Sequence, residues 1–260
     1  MKKTAFTFLI CSSLIYPAIA QKNIKENKKT GGEYLSHQFK NGEQFGTIFS
    51  RTISVTGKDF QPSVFRISGT GNYKVSHVEN NQPDFDAIFL YDGRAEDRCS
   101  VGIRDGGGTS IYNGKSSINT DGSGLVYNAF IWGKAPAAFK AGDHWETTIT
   151  QPWELGGPGR QQIEVIEADP KTHLVRLKRQ GDGEGAFADD QQEMYIVMNG
   201  KPVRVKITPG KNHWVGYTTF KNGIVISDEL MTTRDLNLTN DTLKVSASQR
   251  QYILLNQMAG

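Results

Sequence analysis

The strongest constraint on this chain is a series of short segments in which apolar and polar residues alternate, each closed by glycine, asparagine or aspartate. Alternation with period two places all the apolar side chains of a strand on one face. Segments 47–55, 73–78, 87–91, 162–167, 173–178 and 203–207 read this way. Two of the closures are Asn-Gly pairs, Asn199-Gly200 in MYIVMNGKPVRVKI and Asn222-Gly223 in YTTFKNGIVISDEL. A two-residue hairpin turn needs positive φ at both positions, and Asn-Gly supplies it at little steric cost. A third hairpin is expected where Pro170 sits in the turn 168–172, and Asp92-Gly93, Asn113-Gly114 and Asp121-Gly122 are weaker signals of the same kind.

These features predict an all-β fold of a dozen to sixteen strands. The expected form is an antiparallel meander making a curved sheet, a half-barrel or a sandwich, because sheets of that size curl, split or close. Helix is expected to be scarce. No stretch of a dozen residues carries capped i, i+3, i+4 apolar spacing, and at most one short helix is expected, over 135–141. The small residues of 135–142 also mark a candidate subdomain boundary within a β domain spanning 45–260. No repeat of fixed period argues for a propeller or solenoid.

Residues 1–20 have the order of a cleavable export signal: Lys2 and Lys3, an apolar stretch from Phe6 to Ile15, then the small residues Ala18 and Ala20. That apolar stretch is shorter than the roughly 20 residues that span a bilayer, and no later run in the chain reaches that length. The mature chain is therefore expected to begin near Gln21, in the periplasm or outside the cell, without a transmembrane segment. Residues 21–44, polar and rich in lysine and asparagine, are expected to be a flexible lead-in.

Removing 20 of 260 residues leaves 240, and the loss of Lys2 and Lys3 takes the formal net charge from +3 to about +1. So neutral a chain argues against nucleic acid as the partner. Cys11 leaves as well, so Cys99 is the one mature thiol. It is expected to be buried and inert, and stability is expected to come from sheet packing rather than from disulfides.

The candidate ligand-binding residues are Trp132, Trp145, Trp153 and Trp214, which fall in one 83-residue stretch. Indoles line apolar pockets and stack on sugars, and they also fill cores. The leading expectation is an exported sheet that binds an apolar or amphiphilic ligand. The alternatives are a carbohydrate-binding or glycoside-hydrolysing jelly roll, with Glu146, Glu154 and Glu164 near the tryptophans, and an envelope assembly component without a small ligand. The expected partner is thus a lipid or a glycan.

Other chemistry finds little support. The acidic stretch holding Asp182, Glu184, Asp189, Asp190 and Glu193 lacks EF-hand spacing and reads as a solvated connection. His37, His77, His144, His173 and His213 form no zinc motif, so no metal and no cofactor is expected. Ser110 lacks a nucleophile-elbow context, and Gly106 to Gly108 lack the lysine of a phosphate loop. In the pairs His144-Trp145 and His213-Trp214, inward tryptophans require outward histidines.

Overall fold

The computed structural model describes residues 30–92, 96–104, 107–112, 115–119, 124–150, 158–186 and 192–258. The expected signal segment 1–20 lies outside them. The described residues form fifteen strands, one 3-10 turn (Gly32–Leu35) and one turn of α-helix. In order they are β1 (Thr30–Gly31), β2 (Gln44–Gly57), β3 (Ser63–Glu79), β4 (Gln82–Tyr91), β5 (Glu96–Arg104), β6 (Gly107–Tyr112), β7 (Lys115–Asn119), α1 (Ala129–Trp132), β8 (Ala138–Phe139), β9 (His144–Ile149), β10 (Gly159–Asp169), β11 (Leu174–Glu184), β12 (Glu193–Met198), β13 (Lys201–Lys221), β14 (Ile224–Thr239) and β15 (Lys244–Gln257).

Thirteen strands join in one antiparallel sheet, in the order β7-β6-β5-β4-β3-β2-β15-β14-β13-β11-β10-β9, with β12 added beside β13. The all-β reading holds. Two meanders run outward from a central seam, where β2 pairs with β15 from Thr47 opposite Gln257 to Gly57 opposite Ala247. The last strand therefore sits in the middle of the sheet, between β2 and β14. Among the described residues, β7 and β9 end the sheet and do not pair with each other.

Local chemistry explains the hairpins. Asn199-Gly200 adopts φ of 49° and 75°, and Asn222-Gly223 adopts 50° and 77°, both in the left-handed region that the turn requires. Between β10 and β11, Asp169 accepts from the Lys171 amide at 2.9 Å and from the Thr172 hydroxyl at 2.7 Å, an Asx turn. Asn80-Asn81 makes a further left-handed pair, at 51° and 61°, joining β3 to β4. Sequence reasoning passed over it because glycine is absent, although asparagine tolerates this region.

Inward positions bury apolar side chains in three clusters. The first joins Leu35, Ile131, Trp132, Ile163, Leu177, Phe220 and Ile253. The second gathers Val55, Phe60, Ile196, Val205 and Leu238, and the third Phe45, Val75, Phe85, Leu125 and Ile224. Opposite them, the outward positions of β10 and β11 carry Arg160, Gln162, Glu164, Arg176, Lys178 and Gln180. Only one face of the sheet is dry, so it must wrap around its own apolar side.

Three expectations are corrected. The lead-in is anchored from Thr30 onward: β1 pairs with β8, Leu35 enters the first cluster and His37 bonds Glu43 at 3.0 Å. Its few apolar residues, Leu35 and Phe39 among them, suffice to dock it on the sheet. The helical turn lies at Ala129–Trp132, upstream of 135–141, where Ala138–Phe139 is instead a strand. Cys99 is half-buried, opposite Ala87 in the β4–β5 pair.

Gly200 and Gly223 occupy equivalent turn positions in different surroundings. A methyl group on Gly200 would meet open space, but one on Gly223 would strike the Ser36 backbone. Gly200→Ala is expected to cost about 1 to 2 kcal/mol for the left-handed conformation alone. Gly223→Ala is expected to cost at least twice as much in urea unfolding, and equal costs would show that the 30–43 segment is not docked there.

Candidate functional site

Trp132 and Trp214 are buried at 1% and 4% exposure, and Trp145 is half-buried against the same cluster. Trp153 lies outside the described residues. The three described indoles converge on the end of α1. A helix leaves its last carbonyls without intrahelical partners, and burial makes that costly. Here side chains satisfy the last two and the one that follows: Gln161 donates to the Ile131 carbonyl at 2.9 Å, Trp145 to Trp132 at 2.7 Å, and Tyr127 to Gly133 at 2.8 Å. Trp214 in turn donates to Gln161 at 2.7 Å. Burial holds the Tyr127 hydroxyl well above its usual range.

Gly181 makes room for this arrangement. A Cβ there would lie 2.6 Å from the Trp214 ring, so only glycine lets the indole rest on β11. His144 and His213 face outward beside their tryptophans, as strand alternation requires.

Beneath α1 lies a buried ion pair, with Arg179 Nη2 3.0 Å from Asp228 Oδ2 and both side chains fully buried. The Arg179 guanidinium stacks over the Trp132 ring at 4.9 Å, and the Thr218 hydroxyl donates to Asp228. Burial pushes the Asp228 carboxyl above the ordinary range, against the opposing pull of Arg179 and Thr218. Among the described residues Arg179 Nε and Nη1 have no hydrogen-bond partner, and the indole face compensates that side of the cation.

A second polar group went unforeseen. On β14 the inward residues run Asp228, Leu230, Thr232, Arg234, Leu236, Leu238, and on β15 they run Val245, Ala247, Gln249, Gln251, Ile253, Leu255. Register places Thr232 opposite Gln251 and Arg234 opposite Gln249, while on β13 Trp214 faces Thr232 and Asn212 faces Arg234. A buried polar belt thus crosses three central strands and separates the first apolar cluster from the second. Gln251 donates to Gln249 at 3.0 Å, but among the described residues the Thr232 hydroxyl is buried without a partner. The sequence signal was available: polar residues stand where the period of β14 and β15 demands apolar ones.

The belt opens toward β2 and β3. Arg51 lies opposite Ile253 on one side and Ile67 on the other, and Ile53 lies opposite Phe65. These share the inward face, yet Phe65 is 50% exposed and Ile67 44%. The inner face is therefore uncovered at this end, with apolar side chains beside a guanidinium.

The remaining sequence candidates are scattered. Glu146 bonds Gln162 at 3.0 Å and Glu164 lies 3.9 Å from Lys178, both on the outward face away from the inward indoles; Glu154 lies outside the described residues. Asp182 and Glu184 sit on β11, Glu193 pairs with Arg204, and Asp189 and Asp190 lie outside the described residues. Among the described residues, no group of three or more histidine, cysteine or carboxylate side chains is placed to hold a metal ion.

No family model matches the chain, and no curated protein does. Among solved structures, the chain is similar to the crystal structure of Neisserial surface protein A (NspA) at 10% identity and a TM-score of 0.21, over 83% of this chain and 97% of that one. A likeness at that level carries no argument about fold or function. Among the described residues, no helix is long and apolar enough to cross a membrane. The outward faces of β10 and β11 are charged, whereas those of β2, β3, β4, β14 and β15 carry the exposed Ile48, Val64, Leu90, Met231 and Tyr252.

Removing one partner of the Arg179–Asp228 pair leaves a buried charge exposed to its full desolvation penalty. Asp228→Ala is expected to cost about 3 to 5 kcal/mol in denaturant unfolding. The double change Arg179→Met with Asp228→Leu is expected to recover most of that loss, and a double variant no better than the single would refute this reading of the pair.

Proposed function

We propose that this chain is an exported, non-enzymatic β protein that holds an amphiphilic molecule against the inner face of its open sheet. The observation that carries the reading is the uncovered inward surface at Phe65 and Ile67, continuous with the buried polar belt of Thr232, Arg234, Gln249 and Gln251. A purely structural sheet gains nothing from a polar belt in its middle, since a buried hydroxyl without a partner, as that of Thr232 is among the described residues, costs about 1 to 3 kcal/mol. Such departures from a consistent core are where function is expected. An amphiphile uses both features, its tail covering the phenylalanine and isoleucine and its head meeting the belt.

The tryptophans enter this reading as the wall behind the belt. Trp214 stands opposite Thr232 in register and is locked by Gln161, so it presents a fixed surface. Export supplies the setting, and the amino-terminal segment 1–20 is the feature that supports it. The outward placement of Glu146 and Glu164, away from the inward tryptophans, weighs against a glycosidase, whose two carboxyls must flank one bond.

Native mass spectrometry of the mature protein purified from its own envelope tests the reading. A copurifying adduct of lipid mass is expected, and Ile67→Glu is expected to remove it. Thr232→Val is expected to raise stability by up to about 1 kcal/mol, because it removes a buried hydroxyl without a partner. A clean apo mass that also ignores added amphiphiles would overturn the proposal.

A further inference from the structure

Part of β3 is a sheet edge within the sheet. On one side β2 pairs with it from Ser63, opposite Val55, to Ile67, opposite Arg51, and onward. On the other side β4 stops at Tyr91, opposite Gly69, and among the described residues no strand continues its lane. The Asp92 amide donates to the Ser68 carbonyl at 3.0 Å, and at the far end the Gln61 amide donates to the Val197 carbonyl at 2.9 Å. The open edge therefore runs from Pro62 to Ile67, about 20 Å of extended chain. It is uncovered on both faces: Val64 is 67% exposed on the outward side, and Phe65, Arg66 and Ile67 are exposed as well.

The backbone of this stretch is aimed into the open lane. In an antiparallel ladder one residue turns its N–H and C=O to one neighbour, and the next residue turns them to the other. The Ser68 carbonyl points to the β4 side, where Asp92 meets it. The register of β3 with β2 carries no bulge, so Arg66 and Val64 turn the same way and present their N–H and C=O groups beyond the end of β4. An exposed edge is a template for another strand, and proteins blunt such edges with lysine, proline or a bulge. None of these interrupts Ser63 to Ser68.

We propose that this edge receives an extended segment of a partner protein, paired antiparallel with Val64 and Arg66. In strand addition the main chain supplies affinity and alternate side chains supply specificity. Positions of the segment opposite Ile67, Phe65 and Ser63 share the inward face, where apolar side chains match. The outward residues beside Arg66 on β3 and β2 are Val64, Ser68 and Thr52, so a carboxylate opposite Arg66 is the complement of its charge. A second copy of the chain fits less well. It would set a basic edge against a basic edge, and its own β3, 17 residues long, would run into the lane that Asp92 closes. The inference goes beyond the amphiphile reading and holds whether the interior is filled or not.

Amide hydrogen exchange of the mature chain, read by NMR, tests this with the capped pentapeptide VEITV as the added strand. Its glutamate stands opposite Arg66 and its threonine opposite Val64. In the dilute chain alone the Val64 and Arg66 amides are expected to exchange freely, and millimolar peptide is expected to slow both at least threefold. N-methylation of the peptide's glutamate and threonine, whose amides face β3, is expected to abolish the effect, whereas N-methylation of its isoleucine, which faces away, leaves it. Val64→Pro removes an N–H on a free edge, where proline is tolerated, and is expected to abolish binding with the fold kept. Arg66→Glu is expected to transfer the preference from VEITV to VKITV. No slowing by the peptide, or slowing that survives methylation of the facing amides, would overturn the proposal. Slow exchange of both amides in the dilute chain alone would give the edge to the chain's own residues, and a dimer that Val64→Pro dissolves would give it to a second copy; either result overturns the partner segment.

Discussion

The pairing of β2 with β15 is the interaction on which the rest of the structure depends. It joins residues about two hundred positions apart in sequence, and without it the chain would be two separate meanders, each with an inner edge open to solvent. Closing so long a loop costs conformational entropy before any contact repays it. The repayment is the burial of Val55, Ile253 and Leu255 along the seam, extended by the hairpin that ties β14 to β15. β2 and β15, the first and last strands of this sheet in chain order, thereby lie at its centre, and among the described residues its outer strands are β7 and β9.

That arrangement also determines where polarity falls. Gln249 and Gln251 occupy the seam strand itself, with Arg234 and Thr232 on one neighbour and Arg51 on the other. The most expensive place in the sheet for polar groups is therefore where they are concentrated. The Arg179–Asp228 pair differs in kind: it is closed over by Trp132 and Thr218 and fixes α1 against the sheet. One polar group holds the inner face shut at the α1 end, and the other stands toward uncovered apolar surface at the β2–β3 end.

Much of the fold was legible because strand alternation and Asn-Gly turns are local signals. The hairpins at Asn199-Gly200 and Asn222-Gly223 follow from φ requirements that two residues alone satisfy. The position of β15 was not legible, since alternation reveals which face a strand buries but not which strand lies beside it. The docking of residues 30–43 was hidden for a similar reason, because three or four apolar side chains in a lysine-rich stretch look like chance until a partner surface exists. The tryptophans were found by composition, but whether they line a cavity or seal a helix end depends on hydrogen bonds to Gln161 and to the α1 carbonyls. The belt was visible in sequence as polar residues out of phase in two strands, a signal that becomes meaningful only once Thr232 and Gln251 are known to be opposite each other.

The most direct test of an inner-face site is to record which side chains sense an added amphiphile. In NMR spectra of the mature protein, titration with dodecanol below its solubility limit is expected to shift the methyl groups of Ile53, Ile67 and Ile253. The outward Ile48 and Met231, half-exposed on the opposite face, are expected to stay unchanged. Shifts confined to Ile48 and Met231, with the inner residues silent, would contradict a ligand site on the inner face.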